Sequence, residues 1–203
     1  MAAKDNHKAF TFGFPNFNAV LERNALLYPD KIAITQLDRD GNAFENVTYR
    51  ELTAMARNLA SAMAGNFEKG DTCLILCPPG VDFAIALLAC FFSGTIAVPV
   101  QPPRKKRKNE RLHSVAADAN PAFILLSKDI DDIIEEDHEG FKDLHDLPRI
   151  IINRDIQAGG NVILPELDLN DIALLQYTSG TTGKPNGTMI SHGGILHNSE
   201  VIR

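Results

Sequence analysis

Between residues 48 and 63 the apolar side chains fall at Leu52, Met55, Ala56, Leu59, Ala60 and Met63, the three-and-four spacing that gathers them on one stripe of an α-helix. Thr48 and Glu51 open that run as a capping box, so the helix start is written into the chain. Residues 17–28 show the same period through Val20, Leu21, Ala25 and Leu27, and Pro29-Asp30 stops them. Residues 31–37 alternate, and 43–48 answer them across the polar turn Asp38-Arg39-Asp40-Gly41-Asn42, which predicts a β-hairpin. From Asp71 the pattern changes. Residues 72–77 are apolar without alternation, as in a strand covered on both faces, and Pro78-Pro79-Gly80 breaks them. A buried helix over 81–92 and a second buried strand over 95–100 follow, then a helix over 109–120 and a third strand over 122–126. Residues 149–152 predict a short strand, 153–171 a connection punctuated by Gly and Pro, 172–177 a buried strand, and 192–202 a helix. Strand, helix and strand in alternation predict an α/β fold with parallel pairing.

Residues 81–100 are almost wholly apolar and about as long as a membrane span. Asp82 opens them, Ser93-Gly94 divides them and Pro99 closes them, so a buried helix and a buried strand account for them, and a soluble protein is expected. The first residues lack the apolar core of a secretory signal. At 203 residues and 44% hydrophobic the chain can bury a core as one domain, and a net charge of -6 gives no reason to expect nucleic acid as a partner. Cys73, Cys77 and Cys90 lie in apolar runs without metal-ligand spacing and read as reduced core residues of a cytoplasmic protein. Residues 129–139 are acidic with Ile130, Ile133 and Ile134 on one side, which predicts a solvated helix face. His192 and His197 are five apart, and on a helix they point to different sides, so no metal site is expected from them.

Two stretches carry candidate chemistry. After the strand at 172–177 comes Thr178-Ser179-Gly180-Thr181-Thr182-Gly183-Lys184, a run of hydroxyl and glycine residues with one cation. Glycines let successive backbone N–H groups converge on an anion, and the hydroxyls and Lys184 add donors and charge, which suits phosphate. On composition alone a polar surface turn is equally open, because Asn186-Gly187 is a hairpin signal. A Walker loop is excluded. It needs Gly four residues ahead of the Gly-Lys pair and Ser or Thr after it, where this chain has Thr178 and Pro185. The second stretch, Pro99 to Lys108, couples a proline-fixed strand exit to the basic run Arg104-Lys105-Lys106-Arg107-Lys108. A helix N-terminus repels cations, so the run is expected in a loop with Asn109 as N-cap of the next helix. It is either an exposed basic loop or part of a ligand site, since open α/β sheets bind ligands at the carboxyl edge of their strands.

Tyr177-Thr178-Ser179-Gly180-Thr181-Thr182-Gly183-Lys184-Pro185-Asn186-Gly187, followed by a short strand and Ser191-His192, resembles the phosphate-binding signature of the adenylate-forming superfamily. Ala97 to Arg104, with Glu110-Arg111-Leu112 and Ala116-Ala117-Asp118-Ala119, is similar to the fatty acyl-AMP ligase branch rather than to acyl-CoA synthetases. The resemblance spans nearly the whole chain. It implies that residues 1–203 are the N-terminal portion of an adenylation domain, ending just after the phosphate loop, with a mixed, largely parallel sheet flanked by helices. It implies ATP and Mg2+, a fatty acid substrate that becomes acyl-AMP with release of pyrophosphate, and an acyl carrier protein as acceptor. Thr178, Ser179, Gly180, Thr181, Thr182, Gly183 and Lys184 inherit the ATP-phosphate role; Arg104 and His192 become candidate substrate or carrier contacts; no catalytic residue and no metal ligand is assigned. Where the family has Lys, position 186 has Asn. The family's adenine, ribose and magnesium segments lie further along, so these residues are expected not to catalyse alone, and Ile195, Leu196 and Ile202 are expected to lack cover. Part of an acyl-CoA synthetase, or a non-catalytic nucleotide- or partner-binding remnant, are the alternatives.

Overall fold

The computed structural model describes residues 13–105, 107–155, 162–179 and 185–202. Helix α1 (Phe17–Leu27) starts where the Asn16 side chain accepts a hydrogen bond from the Ala19 amide, 3.1 Å. Strands β1 (Ile32–Leu37) and β2 (Ala43–Thr48) form a separate antiparallel hairpin. The Asp38 carboxylate closes its turn by accepting from the Asp40 and Asn42 amides, and these bonds hold Asp38 below the usual carboxylate range. Helix α2 (Tyr49–Met63) has the expected capping box: the Thr48 hydroxyl accepts from the Glu51 amide and the Glu51 carboxylate from the Thr48 amide. Of its expected stripe, Leu52, Ala56, Leu59, Ala60 and Met63 are buried and Met55 is half-buried.

Next come β3 (Thr72–Leu76), α3 (Val81–Ser93), β4 (Ile96–Pro99), α4 (Glu110–Ala119), β5 (Phe123–Leu126), α5 (Lys128–Glu136), a short helix α6 (Lys142–His145) and β6 (Arg149–Ile151). Then follow β7 (Ile172–Ser179), β8 (Pro185–Ser191) and α7 (His192–Ile202). One six-stranded sheet runs β6-β5-β3-β4-β7-β8, parallel except for β8. Its two faces follow from alternation along β3. Cys73 and Ile75 pack with α1, α2 and α3, while Leu74 and Leu76 pack with α4, α5 and α6. Gly94 ends α3 at φ 73, a left-handed conformation that glycine adopts without strain, and so frees the chain to return as β4. The three cysteines are buried thiols, and burial pushes Cys77 up to about 12. Among the described residues no helix is long and apolar enough to cross a membrane.

Several expectations change. The acidic run is only partly a solvated face: the helix stops at Glu136, and Asp131 is buried, held by Arg149 at 3.0 Å and Lys128 at 3.3 Å. Arg149 also bonds Glu135, which ties α5 to β6. Asn109 sits at the N-cap position of α4 but makes no capping bond. Its carboxamide turns back to the basic loop instead, accepting from the Arg104 amide (3.3 Å) and donating to the Arg107 carbonyl (3.1 Å). Strand β7 is buried only at Ala173 and Tyr177, since with β8 it lies toward one edge of the sheet. In α7, Leu196 is covered and Ile202 is 77% exposed.

Candidate functional site

Strands β3, β4 and β7 run parallel, so their carboxyl ends share one edge of the sheet, and three segments leave from it. Pro78-Pro79 leaves β3, Gln101 to Arg104 leaves β4, and the hydroxyl-glycine run leaves β7. A cleft of about 610 Å3 lies between the first two, lined by Pro78, Pro79, Phe83, Pro99 and Ile130, with Gln101 and Arg104 among its walls. A second cleft of about 250 Å3 shares Val100, Gln101, Pro102 and Arg104 with the first and continues to Arg107, Lys108, Asn109 and Arg111. Rigid prolines make the apolar wall. The basic run makes the polar one.

Strands β7 and β8, which flank the phosphate-loop candidate in the sequence, pair as an antiparallel hairpin. Cross-strand pairs run Leu175↔Met189, Gln176↔Thr188, Tyr177↔Gly187, Thr178↔Asn186 and Ser179↔Pro185. Asn186-Gly187 is therefore not the turn; both residues are in β8, paired opposite Thr178 and Tyr177. Of the seven assigned residues, Thr178 is exposed and Ser179 closes β7, while Gly180, Thr181, Thr182, Gly183 and Lys184 lie outside the described residues.

What fixes the root of the loop is Tyr177. It is 5% exposed; its hydroxyl donates to Asp118 at 2.6 Å, and its carbonyl accepts from Arg111 at 3.0 Å. Arg111 and Asp118 are seven apart on α4, two turns along one face, so a single helix clamps the residue that precedes Thr178. Burial, and then the Asp118 carboxylate, push the phenol up to about 12. The cross-strand partner must be small. A Cβ at Gly187 would meet the Tyr177 ring at 2.8 Å, so the ring lies over bare backbone. This clamp had a signal in the sequence, the Arg-Leu and Ala-Asp-Ala segments of α4, but nothing there told which residue they hold.

Arg104 lines both clefts, is exposed, and makes no ion pair among the described residues. The structure does not bring His192 to it. Because β8 runs antiparallel, His192 lies at the opposite, amino edge, where its amide donates to the Asp171 carbonyl. It is 1% exposed, packs edge-on against Phe91 at 5.5 Å, and its Nδ1 has no partner. Burial lowers its affinity for a proton, despite Asp171 nearby. The side chain is part of the core, and burial favours its neutral form. Among the described residues no group of three or more His, Cys, Asp or Glu could hold a metal ion, so magnesium is assigned to no residue here.

Comparison with known proteins agrees with this geometry. Residues 21–203 match the sequence pattern of the family described as AMP-binding enzyme. A Mycobacterium tuberculosis protein provisionally named fatty-acid–CoA ligase FadD21 is 32% identical over 187 residues, 91% of this chain and 32% of its own length. The medium-chain-fatty-acid–[acyl-carrier-protein] ligase JamA of Moorena producens is 29% identical over 163 residues, 78% of this chain and 28% of its own. A fatty acyl-adenylate ligase from L. pneumophila, crystallised with acyl adenylate and pyrophosphate, superposes with a TM-score of 0.79 at 29% identity over 91% of this chain and 32% of that one. The chain thus spans about a third of the length of the curated relatives it matches. The match over residues 21–203, most of the chain, settles its kinship: the chain belongs to the AMP-binding enzyme family.

Proposed function

We propose that this chain is the N-terminal part of a fatty-acid adenylating enzyme and that its hairpin loop grips the phosphates of ATP. One observation supports this above the others: Tyr177, clamped by Arg111 and Asp118, fixes the end of β7 at the carboxyl edge, where the sequence passes into the hydroxyl-glycine run. A phosphate grip needs donors that are already in place, since stabilisation is greatest when no reorganisation is required as charge develops. In the reaction, a carboxylate oxygen attacks the α-phosphorus, the bond to the β-phosphate oxygen breaks, and pyrophosphate departs on the loop's donors. No general base is required, because a carboxylate is already ionised near neutral pH. Arg104, without an ion pair among the described residues and lining the apolar cleft, is the candidate contact for a carboxylate or a carrier. An acyl carrier protein is the proposed acceptor, in keeping with the name of JamA. CoA is the second reading, favoured by the name of FadD21. Magnesium would accompany ATP through its phosphates.

Calorimetric titration of the 203-residue chain with ATP tests the loop. Saturable binding is expected, and Thr181→Ala with Thr182→Ala should weaken it about tenfold or more, since each lost charge-assisted hydrogen bond is worth roughly 1.5–3 kcal/mol. Equal affinity in the double variant removes the loop from the site.

A further inference from the structure

Six of the chain's 20 Lys and Arg residues fall within positions 104–111, on a protein whose net charge is -6. Like charges held close repel, and the fold nevertheless spends hydrogen bonds on shaping this segment. The Asn109 side chain, withdrawn from capping α4, bonds the Arg104 amide and the Arg107 carbonyl, and Arg111 is fixed by the Tyr177 carbonyl. The 250 Å3 cleft these residues line contains Arg104, Arg107, Lys108 and Arg111 and no acid. Of the carboxylates beside it, Glu136 takes Lys105 at 2.6 Å, and Glu110 meets Lys108, one of the cleft's own cations, at 3.9 Å with both side chains largely exposed. The guanidinium groups of Arg104 and Arg107 have no ion-pair partner among the described residues.

We infer that this basic cleft is a second anion site, separate from the hairpin loop, that takes a phosphate or diphosphate group. Forked guanidinium donors match phosphate oxygens two at a time, and several of them converging favour a multiply charged anion over a single carboxylate. The cleft is smaller than the ~300–1,000 Å3 of pockets for drug-sized ligands, which fits a small anion. Its wall is continuous with the apolar cleft through Val100, Gln101, Pro102 and Arg104, so a bound phosphate can belong to a longer molecule lying there. The site itself is independent of the adenylating reading. Only the source of its phosphate rests on that reading: the diphosphate end of a nucleotide, or the phosphodiester that joins the flexible arm to a carrier.

The test is NMR of the 203-residue chain with labelled arginine side chains, titrated with inorganic pyrophosphate, dimethyl phosphate and acetate. Saturable shifts at Arg104, Arg107 and Arg111 are expected with the two phosphates, and Arg104→Gln with Arg107→Gln should weaken them about tenfold. Both substituted side chains are exposed, and Arg111, which braces Tyr177, is left intact. Tighter pyrophosphate binding assigns the site to a nucleotide; tighter dimethyl phosphate binding assigns it to a carrier arm. The loop variant Thr181→Ala with Thr182→Ala should leave the arginine shifts unchanged. If it abolishes them, the anion sits on the loop and the second site is overturned; equal shifts with acetate overturn it as well. Arginine shifts that persist when the chain fails to bind ATP would sink the adenylating reading alone and leave this site standing.

Discussion

Strands β3 and β7 lie in the same sheet with only β4 between them, and both are written in apolar residues, yet they do different work. In β3, Cys73, Leu74, Ile75 and Leu76 are all fully buried, alternately facing α1, α2 and α3 and then α4, α5 and α6. In β7, Ala173 and Tyr177 are buried, Leu174 and Leu175 are half-covered, and Gln176 and Thr178 face solvent. Tyr177 directs its hydroxyl to Asp118 and its ring over Gly187. The first strand holds the sheet together. The second is a stem, and its buried residues fix where β7 ends on the carboxyl edge.

The largest expected effect measures that division directly. Ile75→Ala removes a side chain packed on all sides and should destabilise the protein by about 2–5 kcal/mol. Leu174→Ala, half-covered, should cost clearly less, because less surface returns to water and the site can relax. Urea unfolding of both variants makes the measurement. Equal losses would mean that β7 is core after all.

Much of the β3 side was legible in the sequence, and the reason is physical. A strand covered on both faces must be apolar throughout, and a capped helix such as α2 announces both its start and its buried stripe. The stem was harder. The apolar run 172–177 gives the strand but not its exposure, which depends on where β8 puts it in the sheet. Asn186-Gly187 is a good turn pair in isolation, and antiparallel pairing with Thr178 and Tyr177 overrode that preference. Asn109 was assigned to a cap because of its position, whereas the basic loop outcompeted the helix for its side chain. His192 resembled a site residue because it follows the signature, but β8 carries it away from the loop to the opposite edge. Long-range pairing decided each of these, and local pattern cannot report it.

A middle-sized effect probes the clamp. Tyr177→Phe keeps the ring over Gly187 and deletes the hydroxyl; the exposed Asp118 carboxylate regains water, so a loss of about 0.5–1.5 kcal/mol is expected. The pH dependence gives a sharper signature. The folded chain holds the Tyr177 proton more tightly, its phenol being raised from the ordinary 10.0 to about 12. The unfolded chain releases that proton first, so the contribution is complete below pH 10 and is lost as the pH climbs from about 10 to about 12. The wild type should therefore lose its advantage over Tyr177→Phe across that window. A constant gap would show that the phenol is not clamped in solution.

The smallest structural effect belongs to Asn186. It stands opposite Thr178 in the ladder and is exposed, and cross-strand partners share a face, so its side chain lies beside the first residue of the loop and on the face opposite Tyr177. Substitution there touches no core contact, and Asn186→Lys should change stability by no more than about 0.5 kcal/mol. Its effect on nucleotide is expected to be larger than its effect on the fold. A lysine beside Thr178 adds a charge within reach of the phosphates that the loop is proposed to hold, where the family signature carries one. ATP titrated into Asn186→Lys should bind more tightly than into the wild type, and the gain should shrink as salt rises, because exposed charges are screened beyond about 10 Å at 0.1 M ionic strength. Unchanged affinity at low salt would mean that Lys184 already supplies the charge, or that the phosphates do not reach the root of the hairpin. Repeating the titration in the Lys184→Ala background separates these: a gain that appears only there identifies Lys184 as the substitute, and no gain in either background places position 186 outside the phosphate grip.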